Sequence, residues 1–205
     1  MVDAAALSRG DEERSVASTA ETTGPHAVRA WNVVVTARDH EQRHLARLVR
    51  TLGDFWWTPF LGVLVGRVED HEAFCDQLRR NEENRPGFLH PLARLVPVDR
   101  TFAVRVEGLA DQLKQAVAAY ADRIDDGSFY VRVERRGHAG EIHSQALEQE
   151  LDRALTGHLH ERRAAPRIDF KNPDVIVVVE LIGNEGGIGL ITRGMRDRYP
   201  FVKVP

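Results

Sequence analysis

The run Val175-Ile176-Val177-Val178-Val179-Glu180-Leu181-Ile182 constrains this chain more than any other stretch. A strand with one wet face alternates apolar and polar residues. This run is apolar and β-branched almost throughout, so it reads as a central strand buried on both faces. Everything else in the second half must pack around it. Asn172-Pro173-Asp174 is a turn leading into it, and Gly183 to Gly187 is a turn leading out. Ile188–Thr192 then returns as its paired strand.

The stretch upstream has a different character. Phe129, Val131 and Val133 alternate with polar residues, which predicts a strand. It runs into Arg135-Arg136-Gly137, crosses a Gly-containing loop and reaches Ser144 at the mouth of a helix. That helix extends to about Arg162, with Leu147, Leu151, Leu155 and Leu159 in one stripe. Ser144 is the expected N-cap. Guanidinium, imidazole, loop N–H and helix N-terminal N–H groups are thus close together, and all of them attract phosphate. Leu109–Ile124 reads as one helix, ended by Asp125-Asp126-Gly127. Arg167–Phe170 is a short extended piece. Arg193–Pro205 reads as a basic and aromatic tail.

The first half shows a strand at Trp31–Ala37 and a helix capped by Asp39 and reaching about Leu52. One strand region follows over Phe55–Val68, bent by Pro59 and Gly62. A second helix spans Glu69 to about Asn81. Two strands, Leu92–Val98 and Thr101–Val106, complete a β-α-β-α-β-β series. The fold class expected is α+β: a ferredoxin-like α/β sandwich over residues 30–107, then a second unit over 108–205 with a mixed sheet flanked by helices. Residues 1–29 are rich in Ala, Ser, Thr, Asp and Glu without sustained period, and read as a disordered tail.

Composition narrows the function classes. The net charge is −3, spread almost evenly along the chain, so an RNA-binding surface must be a local patch with Glu148, Glu150 and Asp152 facing elsewhere. No apolar run reaches about 18 residues, so no transmembrane helix is expected, and no signal pattern opens the chain. A cytoplasmic protein without membrane contact is the expectation. Cys75 is the single cysteine, which excludes an intramolecular disulfide and a multi-cysteine zinc site.

Two motifs compete for attention. Gly183–Gly189 is rich in glycine, but it joins two strand-like runs, whereas a phosphate-binding loop opens a helix. A hairpin is the better account. His40-Glu41-Gln42-Arg43-His44 fits the H-E-x-x-H zinc pattern. It falls in a first helical turn in strongly charged surroundings with no third ligand at a useful spacing. A zinc-dependent enzyme using His40, Glu41 and His44 is therefore the rival to a binding protein.

Four segments in order resemble the THUMP domain, an RNA-binding module of tRNA-modification proteins. They are FYVRVERRG (Phe129–Gly137), IHSQALEQELDRAL (Ile142–Leu155), RIDFKNPDVIVVVELI (Arg167–Ile182) and GIGLITRGM (Gly187–Met195). The tail, with Ile191-Thr192-Arg193 and Arg198–Val204, is similar to one branch: small THUMP proteins that act as adaptors for tRNA cytidine acetylation. The resemblance implies a non-catalytic protein that recognises the tRNA acceptor end and serves a tRNA-modifying enzyme, an acetyltransferase foremost. It implies no cofactor. A tRNA-modifying enzyme in its own right and a regulator binding another structured RNA are the further alternatives. The RNA-facing residues expected are Arg132, Arg135, Arg136, His138, His143, Ser144, Gln145, Lys171, Asn172, Arg193, Arg196, Arg198 and Tyr199. Arg forks match phosphate oxygens, and Tyr199 would stack on a base or ribose.

Overall fold

The computed structural model describes residues 30–205. The tail expected over residues 1–29 lies outside the described residues.

The N-terminal unit is built from β1 (Val33–Ala37), α1 (Gln42–Val49), β2 (Asp54–Trp57), β3 (Val63–Arg67), α2 (His71–Asn84) and β4 (Leu92–Pro97). Its four strands lie in the order β2-β3-β1-β4, all antiparallel. The single strand expected over Phe55–Val68 is in fact a hairpin. Thr58 makes the turn: its Oγ accepts from the Phe60 N–H at 3.2 Å and donates to the Val63 carbonyl at 3.0 Å. Asp39 does not cap α1, whose N-cap position is Glu41 with no side-chain cap bond. Asp70 does cap α2, accepting from the Ala73 N–H at 2.6 Å.

The second unit begins earlier than its sequence pattern implies. β5 (Arg100–Ala103), read above as the last strand of the N-terminal unit, pairs antiparallel with β9 (Glu185–Thr192). Next come α3 (Leu109–Ala118), α4 (Ala121–Ile124), β6 (Ser128–Arg136), α5 (Ser144–Glu161), β7 (Arg167–Ile168), β8 (Val175–Ile182), β9 and α6 (Arg193–Arg198). The sheet order is β5-β9-β8-β6-β7, with β8 parallel to β6 and antiparallel to β9. The helix expected over 109–124 breaks at Tyr120, which is buried and donates its hydroxyl to the Ile188 carbonyl at 3.3 Å. β8 and β9 form a hairpin through Gly183-Asn184, with Gly183 at φ 59.

β8 is buried along its whole length. Val175, Val177, Val179 and Leu181 pack with α3, α4 and α5. Ile176, Val178 and Ile182 join the core of the N-terminal unit instead. The first unit is thus the second layer that an all-apolar strand requires. Close approach is enforced at Gly189 on β9, where a Cβ would lie 2.3 Å from the Pro97 carbonyl oxygen. The chain's end strengthens this contact: the Leu95 N–H donates to the Phe201 carbonyl at 2.8 Å, and Val202 bridges Leu95. No helix among the described residues is long and apolar enough to cross a membrane.

Candidate nucleic-acid interface

Alternation along β6 sends neighbouring arginines to opposite sides of the sheet. Phe129, Val131 and Val133 face the helices, while Tyr130 packs toward the N-terminal unit. Arg136 lies on the Tyr130 side and is ion-paired with fully buried Glu180 on β8. Its side chain is 10% exposed. Glu134 sits 3.6 Å from Arg136 and 3.2 Å from Arg94 of β4. Arg94, Glu134, Arg136 and Glu180 therefore form a chain of alternating charge between the two units. Burial pushes the Glu180 carboxyl up, and the Arg136 charge opposes it. Arg136 is thus a structural cation and not the phosphate ligand expected, because a buried carboxylate needs its compensation. Arg135 turns the other way and donates to the Gly137 carbonyl. Arg132 stands 3.5 Å from Glu148 and keeps 34% exposure.

Glu148 and Asp152 do not face elsewhere. β7 covers β6 only at Ser128 and Phe129, which leaves open the edge beyond. Two carboxylates of α5 close it: Asp152 accepts from the Val131 N–H at 2.7 Å and Glu148 from the Val133 N–H at 2.8 Å. Burial pushes the Asp152 carboxyl up to about 6.

The loop between β6 and α5 is braced by His138, with one ring nitrogen 3.1 Å from the Gly183 carbonyl and the other 3.1 Å from Glu141. Its backbone φ of 50 permits both contacts. The N–H groups of Glu141 and Ile142 both return to the His138 carbonyl. That turn delivers His143, not Ser144, to the N-cap position, with no side-chain cap bond. Ser144 is the first helical residue, and His143 and Gln145 are exposed beside it.

The Asn172-Pro173-Asp174 turn is held from both sides. Asp174 accepts from the Ser128 hydroxyl at 2.6 Å and the Ser128 N–H at 2.8 Å, and these bonds hold its carboxyl below the usual range. Arg193 pairs with Asp174 at 3.0 Å and donates to the Asn172 carbonyl at 2.7 Å. Arg196 donates to the Pro173 carbonyl. Asp169 accepts from the N–H groups of Lys171 and Asn172 at 2.8 and 3.0 Å, and the exposed Lys171 side chain has no ion pair among the described residues.

Beside Lys171 lies the residue that sequence reading missed. Phe170 is 69% exposed, and its ring rests 5.4 Å from that of Tyr130. Burial pushes the Tyr130 phenol up; the Arg132 and Arg196 charges oppose that, and the Glu148 and Asp152 carboxylates add to it. The two rings thus have Arg132 and Arg196 within electrostatic reach and exposed Lys171 next in the chain, with Arg132 partly offset by Glu148. The alternation Arg167-Ile168-Asp169-Phe170-Lys171 carried the signal: a basic segment with an aromatic inside it.

The C-terminal residues differ from expectation. Arg193–Arg198 is the helix α6, capped by the Thr192 hydroxyl, which accepts from the Met195 N–H at 3.2 Å. Tyr199 is buried and donates its hydroxyl to Asp76 of α2 at 2.9 Å. Arg198 pairs with Asp76 at 2.8 Å and with Glu72. Both residues dock the tail on the N-terminal unit, so Tyr199 offers no free ring to a base. The H-E-x-x-H arrangement also fails to form on a helix. His40 precedes α1 with φ 64, and His44 turns to Glu41 at 2.7 Å. No group of three or more His, Cys, Asp or Glu side chains able to hold a metal ion gathers among the described residues.

Residues 105–190 match the family model of the THUMP domain. The chain carries a THUMP domain. It is similar to a tRNA sulfurtransferase of Actinobacillus succinogenes, with 28% identity over 117 residues, 56% of this chain and 23% of that protein. The structure of TrmN from Thermus thermophilus shares the fold at a TM-score of 0.57 and 20% identity, over 78% of this chain and 45% of that one. PH1313 from Pyrococcus horikoshii Ot3 does so at a TM-score of 0.52 and 12% identity, over 80% of this chain and 55% of that one. The chain thus spans about a quarter of the curated relative and about half of each solved structure. The fold likeness extends past the THUMP domain into the N-terminal unit, since each alignment covers more of the chain than residues 105–190.

Proposed function

We propose that the protein binds tRNA through its THUMP domain, without catalysing a reaction on it, and presents the acceptor end to a tRNA-modifying enzyme. The observation that carries this reading is the Tyr130–Phe170 ring pair with Arg132, Lys171 and Arg196 around it. Cations supply sequence-independent affinity for phosphates, and an exposed ring beside them accepts an unstacked base. His143, Ser144 and Gln145 at the start of α5 extend that surface, where orphan N–H groups favour an anion. Arg135 and Asn172 shape the loops beside it. A domain of this family in a relative named as a tRNA sulfurtransferase supports tRNA as the ligand. The β-α-β-β-α-β order and antiparallel sheet support a ferredoxin-like N-terminal unit that orients the THUMP domain. Cytidine acetylation is the chemistry we assign to the partner, on the resemblance of the C-terminal segment.

The test is a salt-dependent titration of intact tRNA, tRNA lacking its 3′-terminal nucleotides and an unrelated hairpin. Wild type should prefer intact tRNA. Equal binding to all three would point to another structured RNA. The adaptor role fails if a purified tRNA cytidine acetyltransferase works equally well with and without the protein.

A further inference from the structure

A second cationic surface lies outside residues 105–190. Arg43, Arg47 and Arg50 occupy positions i, i+4 and i+7 of the α1 region, so they form one row about 10 Å long at about 1.5 Å per residue. All three are exposed. Arg50 spends its Nε on the Phe55 carbonyl at 3.3 Å. Among the described residues, Arg43 and Arg47 pair with no carboxylate. Like charges one helical turn apart weaken a helix, and no ion pair among the described residues offsets that for these two. The row borders Trp57, the last residue of edge strand β2, which is 41% exposed. Together they line an open groove of 440 Å³.

The chain that follows the groove reaches the THUMP domain. Beyond Trp57 the chain turns through residues 58–62, where Leu61 is 87% exposed. Phe60 in that turn packs against the β6–α5 loop: a Cβ at Gly137 would lie 3.3 Å from its Cζ. That same loop ends at His143 and Ser144. The β2–β3 turn therefore touches both the start of α1, where a Cβ at Gly62 would lie 3.5 Å from Gln42, and the loop that leads into α5.

A regular row of guanidinium groups beside an indole, with no carboxylate paired to Arg43 or Arg47 among the described residues, suits a repeating polyanion with flat apolar elements better than a lone carboxylate. We propose that Arg43, Arg47 and Trp57 form a second RNA contact, gripping the sugar-phosphate backbone of the stem adjoining the end held by the THUMP domain. The proposal rests on the RNA-binding reading above and assigns the N-terminal unit its own share of the footprint.

The test uses the full chain, titrated by fluorescence anisotropy at several salt concentrations. The probes are a hairpin RNA with a 3′ single-stranded overhang and the overhang strand alone. For R43A/R47A we expect at least tenfold weaker hairpin binding at low salt and a log–log salt slope smaller by about 2, one per lost phosphate contact. Overhang binding should be unchanged, and R43K/R47K should recover most of the slope. Exposed positions leave the fold intact, which a thermal melt verifies. If R43A/R47A binds the hairpin like wild type while F170A/K171A does not, the α1 contact is overturned and the RNA-binding reading stands. If neither variant weakens binding, both fall.

Discussion

Asp152 on α5 closes the free edge of β6 by accepting the Val131 N–H at 2.7 Å. The bond solves a problem created by the shortness of β7, because a buried N–H left without a partner is costly. It also brings a carboxylate into a site that is nearly inaccessible to water.

Burial pushes that carboxyl up to about 6, well above the usual carboxylate range. The folded state therefore holds a proton that the unfolded chain releases as pH rises from about 4 to 6. Stability from this group is fully present below about pH 4 and lost as pH passes about 6. Asp152→Asn keeps an oxygen acceptor for Val131 and removes the charge. We expect it to stabilise the protein by about 1–3 kcal/mol at pH 7.5, at about 1.4 kcal/mol per pKa unit. Urea unfolding at pH 4 and pH 7.5 checks this; a difference that does not shrink at pH 4 would exclude the titration.

Arg136 and Glu180 form a buried ion pair. Removing one partner strands the other. Arg136→Ala should cost about 3–5 kcal/mol, while Arg136→Met with Glu180→Met should recover most of it. Denaturant unfolding of the single and double variants measures the difference. A mild effect of Arg136→Ala with a large loss of RNA affinity would return Arg136 to the surface role expected from sequence.

Tyr199 and Asp76 tie the C-terminal segment to α2. Tyr199→Phe removes one hydrogen bond and should lower stability by about 1 kcal/mol. RNA affinity should not change, since the ring is buried. A thermal melt and one RNA titration suffice, and weaker RNA binding without a change in melting would contradict the docking role.

Phe170→Ala and Lys171→Ala should separate stacking from charge. Losing the ring should weaken RNA binding by about 1–3 kcal/mol with the salt slope kept. Losing the ammonium should reduce the slope by about 1. Identical salt slopes for all three proteins would remove Lys171 from the phosphate contacts.

Much of the THUMP domain was legible in one dimension, because local rules govern it. The apolar run at Val175–Ile182, the alternation at Phe129–Val133 and the leucine stripe of α5 each announce an element and its buried face. The hairpin at Gly183-Asn184 follows from turn chemistry. By itself, then, the sequence determined the kinds of elements in this half, their order and the need for cover on both faces of β8.

Tertiary structure decided which charges are free. Arg132, Arg135 and Arg136 look equivalent in sequence, but pleating parts them and only the position of Glu180 commits Arg136. Tyr199 looks like a stacking residue until Asp76, 123 residues away in the chain, claims its hydroxyl. β5 looks local to β4 until it pairs with β9. Periodicity reports which side of an element meets apolar surroundings. It carries no record of the distant partner that neutralises a charge, and in this protein that partner separates a structural arginine from one open to a phosphate.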